Sequence, residues 1–346
     1  MRRAVESCRR HAPVARRYGI VFYRYVLPLV IVGAIGWYFF DKLNNPKLWT
    51  NTFTVHAEWL LLSAGLYLAA HAIWGTNSVL LLWNQGAHVG WLTGVRAYYI
   101  SQFGKYVPGK VWVLVLRVGM LGNIGISRTA VGVTATYEAL TAMAAGALVG
   151  TLLLPTLSAD QSGLNGVSLY WVAPIALVPI GLVGLNRFVN RVNRWRIGHD
   201  APQLPRVKLH VVLFGLVLTS GGWFVMGASL WCTLRGLGLD AYPLTGPAYL
   251  HLTCINAIAY VAGFLALPVP AGGGVREFAL QKLLTLELAA VLAPGTGSIE
   301  GLAAVAALVL RLVWTTAEMA AAGLLYWLAP THPPLAIDPE AANANA

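Results

Sequence analysis

The chain has little charge. Of its 346 residues, 11% are charged and 57% are hydrophobic, whereas a soluble domain averages about 25% charged residues. It also lacks a long polar segment between its apolar stretches, which leaves no room for a folded domain outside a membrane. The sequence therefore predicts an integral membrane protein, with one membrane unit at 19–328 between a basic tail at 1–18 and a short C-terminal tail at 329–346.

Cysteine is also scarce. Cys8, Cys232 and Cys254 form no C-x-x-C pair, so we expect no disulfide framework, no metal site and no cofactor. The formal net charge is +11, but the basic residues lie in short loops rather than on one polar face with interleaved aromatic residues. This distribution predicts a membrane as the partner and excludes nucleic acid.

Long apolar runs bounded by polar or breaker residues predict the membrane helices. These runs lie at 19–40, 56–83, 128–154, 168–186, 209–233, 246–268 and 301–328. The first follows six arginines and is longer than the apolar region of a signal peptide, so we interpret it as an uncleaved helix. Two interrupted apolar segments, at 95–122 and 269–292, separate some of these runs.

The distribution of Lys and Arg predicts the orientation, because basic residues in short loops concentrate on the cytoplasmic side. If the N-terminus is inside and each interrupted segment enters and leaves by the cytoplasmic face, the cytoplasmic segments hold twelve basic residues and the outer segments three. This predicts a bacterial-type inner membrane, a cytoplasmic N-terminus and a disordered, extracytoplasmic C-terminal tail. If either interrupted segment crossed the membrane completely, every later loop would change sides and the excess of Lys and Arg on the cytoplasmic side would be lost. Both segments are therefore predicted to be re-entrant.

The first interrupted segment contains Pro108 and Gly109, which prevent a helix from continuing through it. A new helix that begins near Lys110 would place free N–H groups beside Lys110 and, two turns later, Arg117. Such an arrangement suits an anion, most simply a phosphate. The alternative is a plain turn whose basic side chains extend to the lipid headgroups. Residues 104–110 also match most of a Walker pattern, but Val111 stands where a Ser or Thr must bind Mg²⁺, which argues against nucleotide binding.

The second interrupted segment has three successive glycines, Gly272 to Gly274, followed by Arg276 and Glu277. Glycine permits positive φ and close approach of a ligand, and a helix that begins near Val275 again offers free N–H groups. Arg276 is predicted to bind a ligand, while Glu277 caps the helix or pairs with a cation. A glycine-rich connector is the alternative, but it does not explain the charges placed before an apolar run.

Two motifs together resemble the membrane region of the lysylphosphatidylglycerol synthase family. They are QFGKYVPGK at 102–110, followed by Arg117 and GIS at 125–127, and PAGGGVRE at 270–277. The resemblance implies a flippase-like membrane domain that moves a lipid between leaflets. It implies no synthase activity here, since the soluble synthase domain of that family is absent. Ala271 and Gly273 depart from the family pattern, in which Gly and a bulkier aliphatic residue are usual.

Stand-alone members of this family have been linked to polyprenyl-phosphate sugars as well as to phospholipids. The resemblance therefore implies an anionic lipid as the substrate, without specifying its headgroup. A lipid synthase or glycosyltransferase is a further expected partner.

Three charged residues inside predicted spans are candidates for a function. Glu138 shares a helix stripe with Thr134 and Thr141, and is either a proton carrier or the partner of Arg117 or Arg276. Arg311 and Glu318 are seven residues apart on one helix face, and form either a charge pair that bridges helices or a part of the substrate path.

The sequence thus predicts an all-α polytopic membrane bundle with about seven full spans and two re-entrant broken-helix segments related by an internal pseudo-repeat. We expect a lipid flippase rather than an enzyme; the alternatives are a membrane-embedded glycosyl or aminoacyl transferase and a non-catalytic partner of one. No catalytic residue is predicted. The predicted substrate-binding residues are Gln102, Tyr106, Gly109, Lys110, Arg117, Gly272, Gly273, Gly274, Arg276 and Glu277. The predicted proton or charge partners are Glu138, Arg311 and Glu318.

Overall fold

A computed structural model describes most of the chain. The described residues are 37, 40, 54–106, 111–157, 187, 188, 190–192, 194, 195, 207–266, 272, 274–292 and 298–327. They are helical or lie in turns and connections, and none of them is in a β-strand.

The helices with complete bounds are named here in chain order. They are α1 Ala57–Asn84, α2 Trp91–Ser101, a 3₁₀ helix Gln102–Tyr106, α3 Trp112–Gly122, α4 Arg128–Leu153 with a 3₁₀ turn Leu154–Thr156, α5 Leu209–Gly236, α6 Gly246–Leu265, α7 Val275–Val291 and α8 Ile299–Trp327.

Five of these helices, α1, α4, α5, α6 and α8, are long and apolar enough to cross a membrane. They confirm long apolar helices in the runs predicted at 56–83, 128–154, 209–233, 246–268 and 301–328. The spans predicted at 19–40 and 168–186 lie almost entirely outside the described residues. The count of seven therefore stays a prediction.

The centre of the bundle is built on small residues that let helices approach closely. A Cβ added to Gly222 of α5 would meet the ring of Trp74, and one added to Gly146 of α4 would lie 2.6 Å from the ring of Trp223. Ser63 of α1 is hydrogen-bonded to the Ser229 hydroxyl of α5 at 2.8 Å. Small residues and hydroxyl contacts of this kind hold helices together in lipid, where apolar surface gives no net drive for association.

Two ends of the bundle can be defined from these contacts. The N–H of His56, just before α1, donates to the carbonyl of Gly236 at 2.9 Å, so α1 begins where α5 ends. We call this the Gly236 end. A Cβ on Gly122, the last residue of α3, would lie 3.2 Å from the Arg128 side chain at the start of α4. We call this the Arg128 end; α1 ends there.

The first interrupted segment forms a helical hairpin that opens to the Arg128 end. Ser101 of α2 and Arg117 of α3 are hydrogen-bonded at 3.0 Å, and Gly104 packs directly on the backbone of Trp112. The two helices therefore run antiparallel, with the tip at residues 102–112. The predicted break is confirmed, although residues 107–110 lie outside the described residues.

The second interrupted segment forms a hairpin with α6 that opens to the Gly236 end. At its tip, a Cβ on Gly263 of α6 would lie 2.7 Å from the Arg276 side chain of α7. Near its open end, His251 of α6 lies 3.0 Å from Glu287 of α7. Thus α7 returns along most of α6, and α8 starts back at the Gly236 end.

The two hairpins open to opposite ends, which differs from the single face assumed in the charge count. The described α8 runs to the Arg128 end, where the Arg96 Nε of α2 donates to the carbonyl of Leu325 at 2.7 Å. The distribution of Lys and Arg did not indicate that α7 returns to the Gly236 end. No Lys or Arg lies between the end of α7 and Arg311, so no basic residue marks the side of that connection. Re-entrance with respect to a bilayer, and the side on which each terminus lies, stay predictions.

Candidate functional site

The tip of the first hairpin is fixed to α8 by one carboxylate. Glu318 Oε2 lies 2.7 Å from Lys105 Nζ and accepts hydrogen bonds from Tyr106 at 2.9 Å and from Tyr67 at 3.2 Å. Glu318 is buried. A buried carboxylate requires such partners, since an unpaired charge in this setting costs several kcal/mol.

Arg311, two turns before Glu318 on α8, connects the two hairpin tips. Its Nε lies 3.5 Å from the Oε1 atom of Glu277 in the second tip. Its Cζ lies 5.8 Å from the centre of the Tyr106 ring in the first tip. The tips thus meet in the interior of the bundle, although they enter from opposite ends.

Arg276 occupies an aromatic setting in the second tip. Its Cζ lies 4.9 Å from the ring centre of Tyr260 and 4.8 Å from that of Trp314, which itself stacks on Tyr67. Its Nε is 3.7 Å from Glu277, too far for a hydrogen bond. The Arg276 side chain is buried, and in this surrounding the faces of two rings help to stabilise its charge.

The described charges at this junction do not balance. Lys105, Arg276 and Arg311 supply three positive charges, and Glu277 and Glu318 supply two negative ones. Glu277 Oε1 has no hydrogen-bond partner among the described residues, so both arginines are held loosely. A local excess of positive charge with loosely held arginines is an arrangement that can receive an anion.

Helix N-termini add to this positive character. α3 begins at Trp112 and α7 at Val275, and both starts lie at hairpin tips. Gly274 has a φ of 83°, a conformation that favours glycine, and its N–H donates to the Glu277 carboxylate. Thus Glu277 caps α7 and also contacts Arg311, so both alternatives expected for it from the sequence are observed.

Arg117 and Glu138 lie in a separate cluster between α3 and α4. Arg117 Nη1 is 2.8 Å from Glu138 Oε2, and its Nε and Nη1 also donate to Ser101 and Ser78 at 3.0 and 3.2 Å. The guanidinium faces the Tyr98 ring at 4.9 Å. Of the two interpretations of Glu138, the structure shows the ion pair, and it identifies Arg117 rather than Arg276 as the partner.

The predicted site residues therefore fall into three groups. At or beside the junction of the tips lie Tyr106, Gly272, Gly274, Arg276, Glu277, Arg311 and Glu318, with Gln102 one helical turn away on the 3₁₀ helix. Arg117 and Glu138 form the separate ion pair. Gly109, Lys110 and Gly273 lie outside the described residues. Arg311 and Glu318 each bridge helices, but they pair with opposite hairpins rather than with each other.

Four residues of the junction were not predicted. Lys105 lies within the first motif, yet its spacing gave no indication that it would reach α8. Tyr67, Tyr260 and Trp314 are single aromatic residues within apolar helices. A cluster of aromatic residues around a buried arginine arises only when distant helices pack, so the sequence carried no local signal for it.

The five apolar helices and the two interior hairpins define the chain as a polytopic α-helical integral membrane protein. It belongs to the family described as the lysylphosphatidylglycerol synthase TM region, whose profile matches residues 25–317. This confirms the resemblance carried by the two motifs, and membership in this family suggests a membrane lipid-related function. No curated protein matches the chain significantly.

Proposed function

We propose that the protein moves an anionic lipid between the leaflets of a membrane and that the junction of the two hairpin tips receives the headgroup. The observation that carries this proposal is the charge excess at the junction. Three cationic side chains face two carboxylates, and Arg276 and Arg311 reach Glu277 only at 3.7 and 3.5 Å. A phosphate offers oxygens that can hydrogen-bond both guanidinium groups, and it would bring the local charge to neutrality.

The opposed hairpins support a transport role. Transporters often bind substrate near the middle of the bilayer, where broken helices from inverted repeats present their N-termini to an anion. Here α3 and α7 begin at tips that enter from opposite ends. In this proposal both hairpins are re-entrant, and the pseudo-repeat inferred from the sequence is an inverted one.

We infer from the basic residues that the Arg128 end faces the cytoplasm. The six Lys and Arg residues between 187 and 208 directly precede α5, which begins at this end, and Arg128 adds a seventh. By the positive-inside rule this end faces the cytoplasm of a bacterial-type inner membrane. The described end of α8 then also faces the cytoplasm, and this replaces the extracytoplasmic side expected from the charge count.

The test is lipid exchange in proteoliposomes that contain a fluorescent phosphatidylglycerol, with quenching from outside as the readout. We expect the purified protein to accelerate quenching of the inner-leaflet probe. Arg276→Gln removes a cation from the junction and should abolish that acceleration. Arg235→Gln is the matched control, since Arg235 pairs with Asp240 at the exposed Gly236 end and should leave exchange unchanged.

Unchanged exchange in Arg276→Gln, with the protein folded, would refute this site. A fluorescent polyprenyl phosphate in place of phosphatidylglycerol distinguishes the two lipid classes. If neither probe moves and a labelled donor yields a lipid product, the membrane-embedded transferase is correct instead. If the protein is inert alone and co-purifies with a synthase or glycosyltransferase, the non-catalytic partner is the better description.

A further inference from the structure

A buried amide lies on α7 one helical turn beyond the second hairpin tip. Gln281 is 0% exposed, and neither its Oε1 nor its Nε2 has a hydrogen-bond partner among the described residues. The next residue, Lys282, lies on another face of α7, where it pairs with Glu300 of α8 at 3.4 Å on an exposed surface. The buried stripe around Gln281 is otherwise rich in leucine: Leu280, Leu284 and Leu288. A leucine or methionine would fill such a position without burying polar atoms, so the amide requires an explanation.

The amide of Gln281 lies beside the proposed headgroup site. Gln281 follows Glu277 by four residues, so the two side chains share one face of α7, about 6 Å apart along the helix axis. Side chains on a helix lean toward its N-terminus, which here is the hairpin tip. Glu277 Oε1, which lies 3.5 Å from Arg311, also has no hydrogen-bond partner among the described residues. Polar atoms without partners thus continue from the junction along this face of α7.

The junction has an outer charged part and an inner polar part. The side chains of Lys105 and Arg311 are 15% and 18% exposed, so water reaches them. Glu277 and Gln281 are buried behind these cations. A headgroup that enters past the cations therefore meets Gln281 deeper in the bundle than it meets the arginines.

The chemistry of an amide specifies which groups can bind it. The Gln281 Nε2 donates two hydrogen bonds, and its Oε1 accepts them. The oxygens of a phosphodiester only accept, so a phosphate alone satisfies Nε2 and leaves Oε1 without a donor. A hydroxyl group both donates and accepts, so it satisfies either atom. An ammonium group also donates, but the excess of positive charge at the junction opposes it.

We propose that Gln281 selects a headgroup that carries hydroxyl groups next to its phosphate. The substrate class is then a lipid phosphodiester of a glycerol or a sugar, rather than a bare phosphate or an amine headgroup. This inference rests on the proposed function, in which Arg276 and Arg311 bind the phosphate. Gln281 binds a hydroxyl on the group esterified to that phosphate. Its amide has no partner in the protein alone because its hydrogen bonds form only when the headgroup is bound.

The test compares two fluorescent lipids that differ only in hydroxyl groups. Phosphatidylmethanol carries the same single negative charge as phosphatidylglycerol, but a methyl group replaces the glycerol. We expect the wild type to exchange phosphatidylglycerol about threefold to tenfold faster, as one or two hydrogen bonds predict. Gln281→Met keeps the length of the side chain and removes both polar atoms, so the ratio of the two rates should fall to about one. The charge at the junction is the same in this variant, so phosphate binding is unchanged.

The matched control is Asn77→Leu. The amide atoms of Asn77 are also buried without hydrogen-bond partners among the described residues, but they face Gly215 of α5 rather than the hairpin tips. This variant should keep the wild-type ratio of rates. A lower ratio in Asn77→Leu would mean that any buried amide affects selectivity, and it would overturn the inference.

A structural role for Gln281 predicts a different pattern. If the amide held the fold together, Gln281→Met would melt below the wild type or fail to fold, and the ratio of rates in folded protein would be unchanged. If the amide waits for a headgroup, removing it breaks no hydrogen bond, so the Tm should be unchanged or higher. A lower Tm, or an equal loss of exchange for both lipids, would therefore overturn the inference.

A binding measurement separates this inference from the transport proposal. The Tm of the protein in detergent is measured with dihexanoyl phosphatidylglycerol or dihexanoyl phosphatidylmethanol, and with a short prenyl phosphoglucose or its methyl phosphate analogue. We expect the hydroxylated lipid of one pair to raise the wild-type Tm more, and Gln281→Met to remove that difference. The pair that shows it identifies glycerol or sugar. Selective binding without lipid exchange would refute transport alone, whereas equal shifts within both pairs would overturn the inference.

Discussion

The buried pair of Arg117 and Glu138 gives the sharpest prediction for stability. Arg117 is 1% exposed and Glu138 6% exposed, and their ion pair is 2.8 Å long. Replacing Glu138 by Leu leaves the Arg117 charge buried, with two hydroxyl groups and the Tyr98 ring as its remaining partners among the described residues. Breaking a buried pair from one side costs about 3–5 kcal/mol, because the remaining charge is uncompensated.

The same principle predicts that removing both charges is far less harmful. Met at 117 keeps most of the length of the arginine side chain, and Leu at 138 fills the space of the glutamate. Replacing a buried pair by apolar residues of similar volume is often neutral or stabilising. We therefore expect the Arg117→Met/Glu138→Leu protein to be more stable than either single variant.

The assay is a double-mutant cycle by thermal unfolding in detergent. A large domain loses about 2 °C in Tm per kcal/mol, so each single variant should melt about 6–10 °C below the wild type. The double variant should lie within about 2 °C of the wild type. Asp240→Ala, which breaks the exposed pair with Arg235, should shift the Tm by less than about 2 °C.

Additive losses, with the double variant below both single variants, would refute the reasoning. Lipid exchange by the double variant then separates the two interpretations of Glu138. A structural pair predicts that exchange is retained once stability is restored. A proton carrier, or a direct role of Arg117 in headgroup binding, predicts that exchange is lost.

Three further predictions concern the hairpin tips. Gly104→Ala places a Cβ against the backbone nitrogen of Val113 and should lower the Tm by several degrees, as overpacking costs about 1–3 kcal/mol. Gly119→Ala, with open space around it, should not. Gly272→Ala combines a φ of 65° with a Cβ 2.5 Å from the Gly263 carbonyl oxygen, so its Tm should also fall, and an unchanged Tm would contradict this geometry. Glu318→Gln weakens the only ion pair observed for Lys105 among the described residues and should cost about 3 kcal/mol, whereas Glu300→Gln should cost less than about 1 kcal/mol by the same thermal assay.

The sequence predicted the long helices well because each is encoded by its own residues. The apolar runs at 56–83 and 209–233 correspond to Ala57–Asn84 and Leu209–Gly236. Pro108 and Gly109 likewise predicted the break between α2 and α3, since they act on the local backbone. Features that depend on neighbouring residues were therefore recoverable from the pattern alone.

Features that depend on contacts between residues far apart in the sequence could not be predicted from the sequence alone. The contact between Lys105 and Glu318 joins residues more than 200 positions apart, and no spacing rule connects them. The return of α7 along α6 was missed for a different reason. No Lys or Arg lies between the end of α7 and Arg311, so no basic residue marks the end of the bundle at which α8 begins.

The contacts that hold the first hairpin tip are shorter than those that hold the second. We therefore expect the first tip to matter mainly for protein stability and the second mainly for lipid transport. The first tip is fixed by contacts of 2.7 and 2.9 Å to Glu318. In the second tip, the described contacts of Glu277 with Arg276 and Arg311 are 3.7 and 3.5 Å long and include no hydrogen bond to Oε1. An incoming phosphate competes with Glu277 for the two arginines, and contacts of this length cost little to exchange.

We therefore expect damage at the first tip to appear mainly in the Tm and damage at the second mainly in lipid exchange. Glu318→Gln should lower stability more than Arg276→Gln, whereas Arg276→Gln should lose exchange at nearly wild-type Tm. Measuring both quantities on both variants tests this division. The opposite pattern would mean that the first tip is the mobile element, and that the headgroup binds at Lys105 and Glu318 instead.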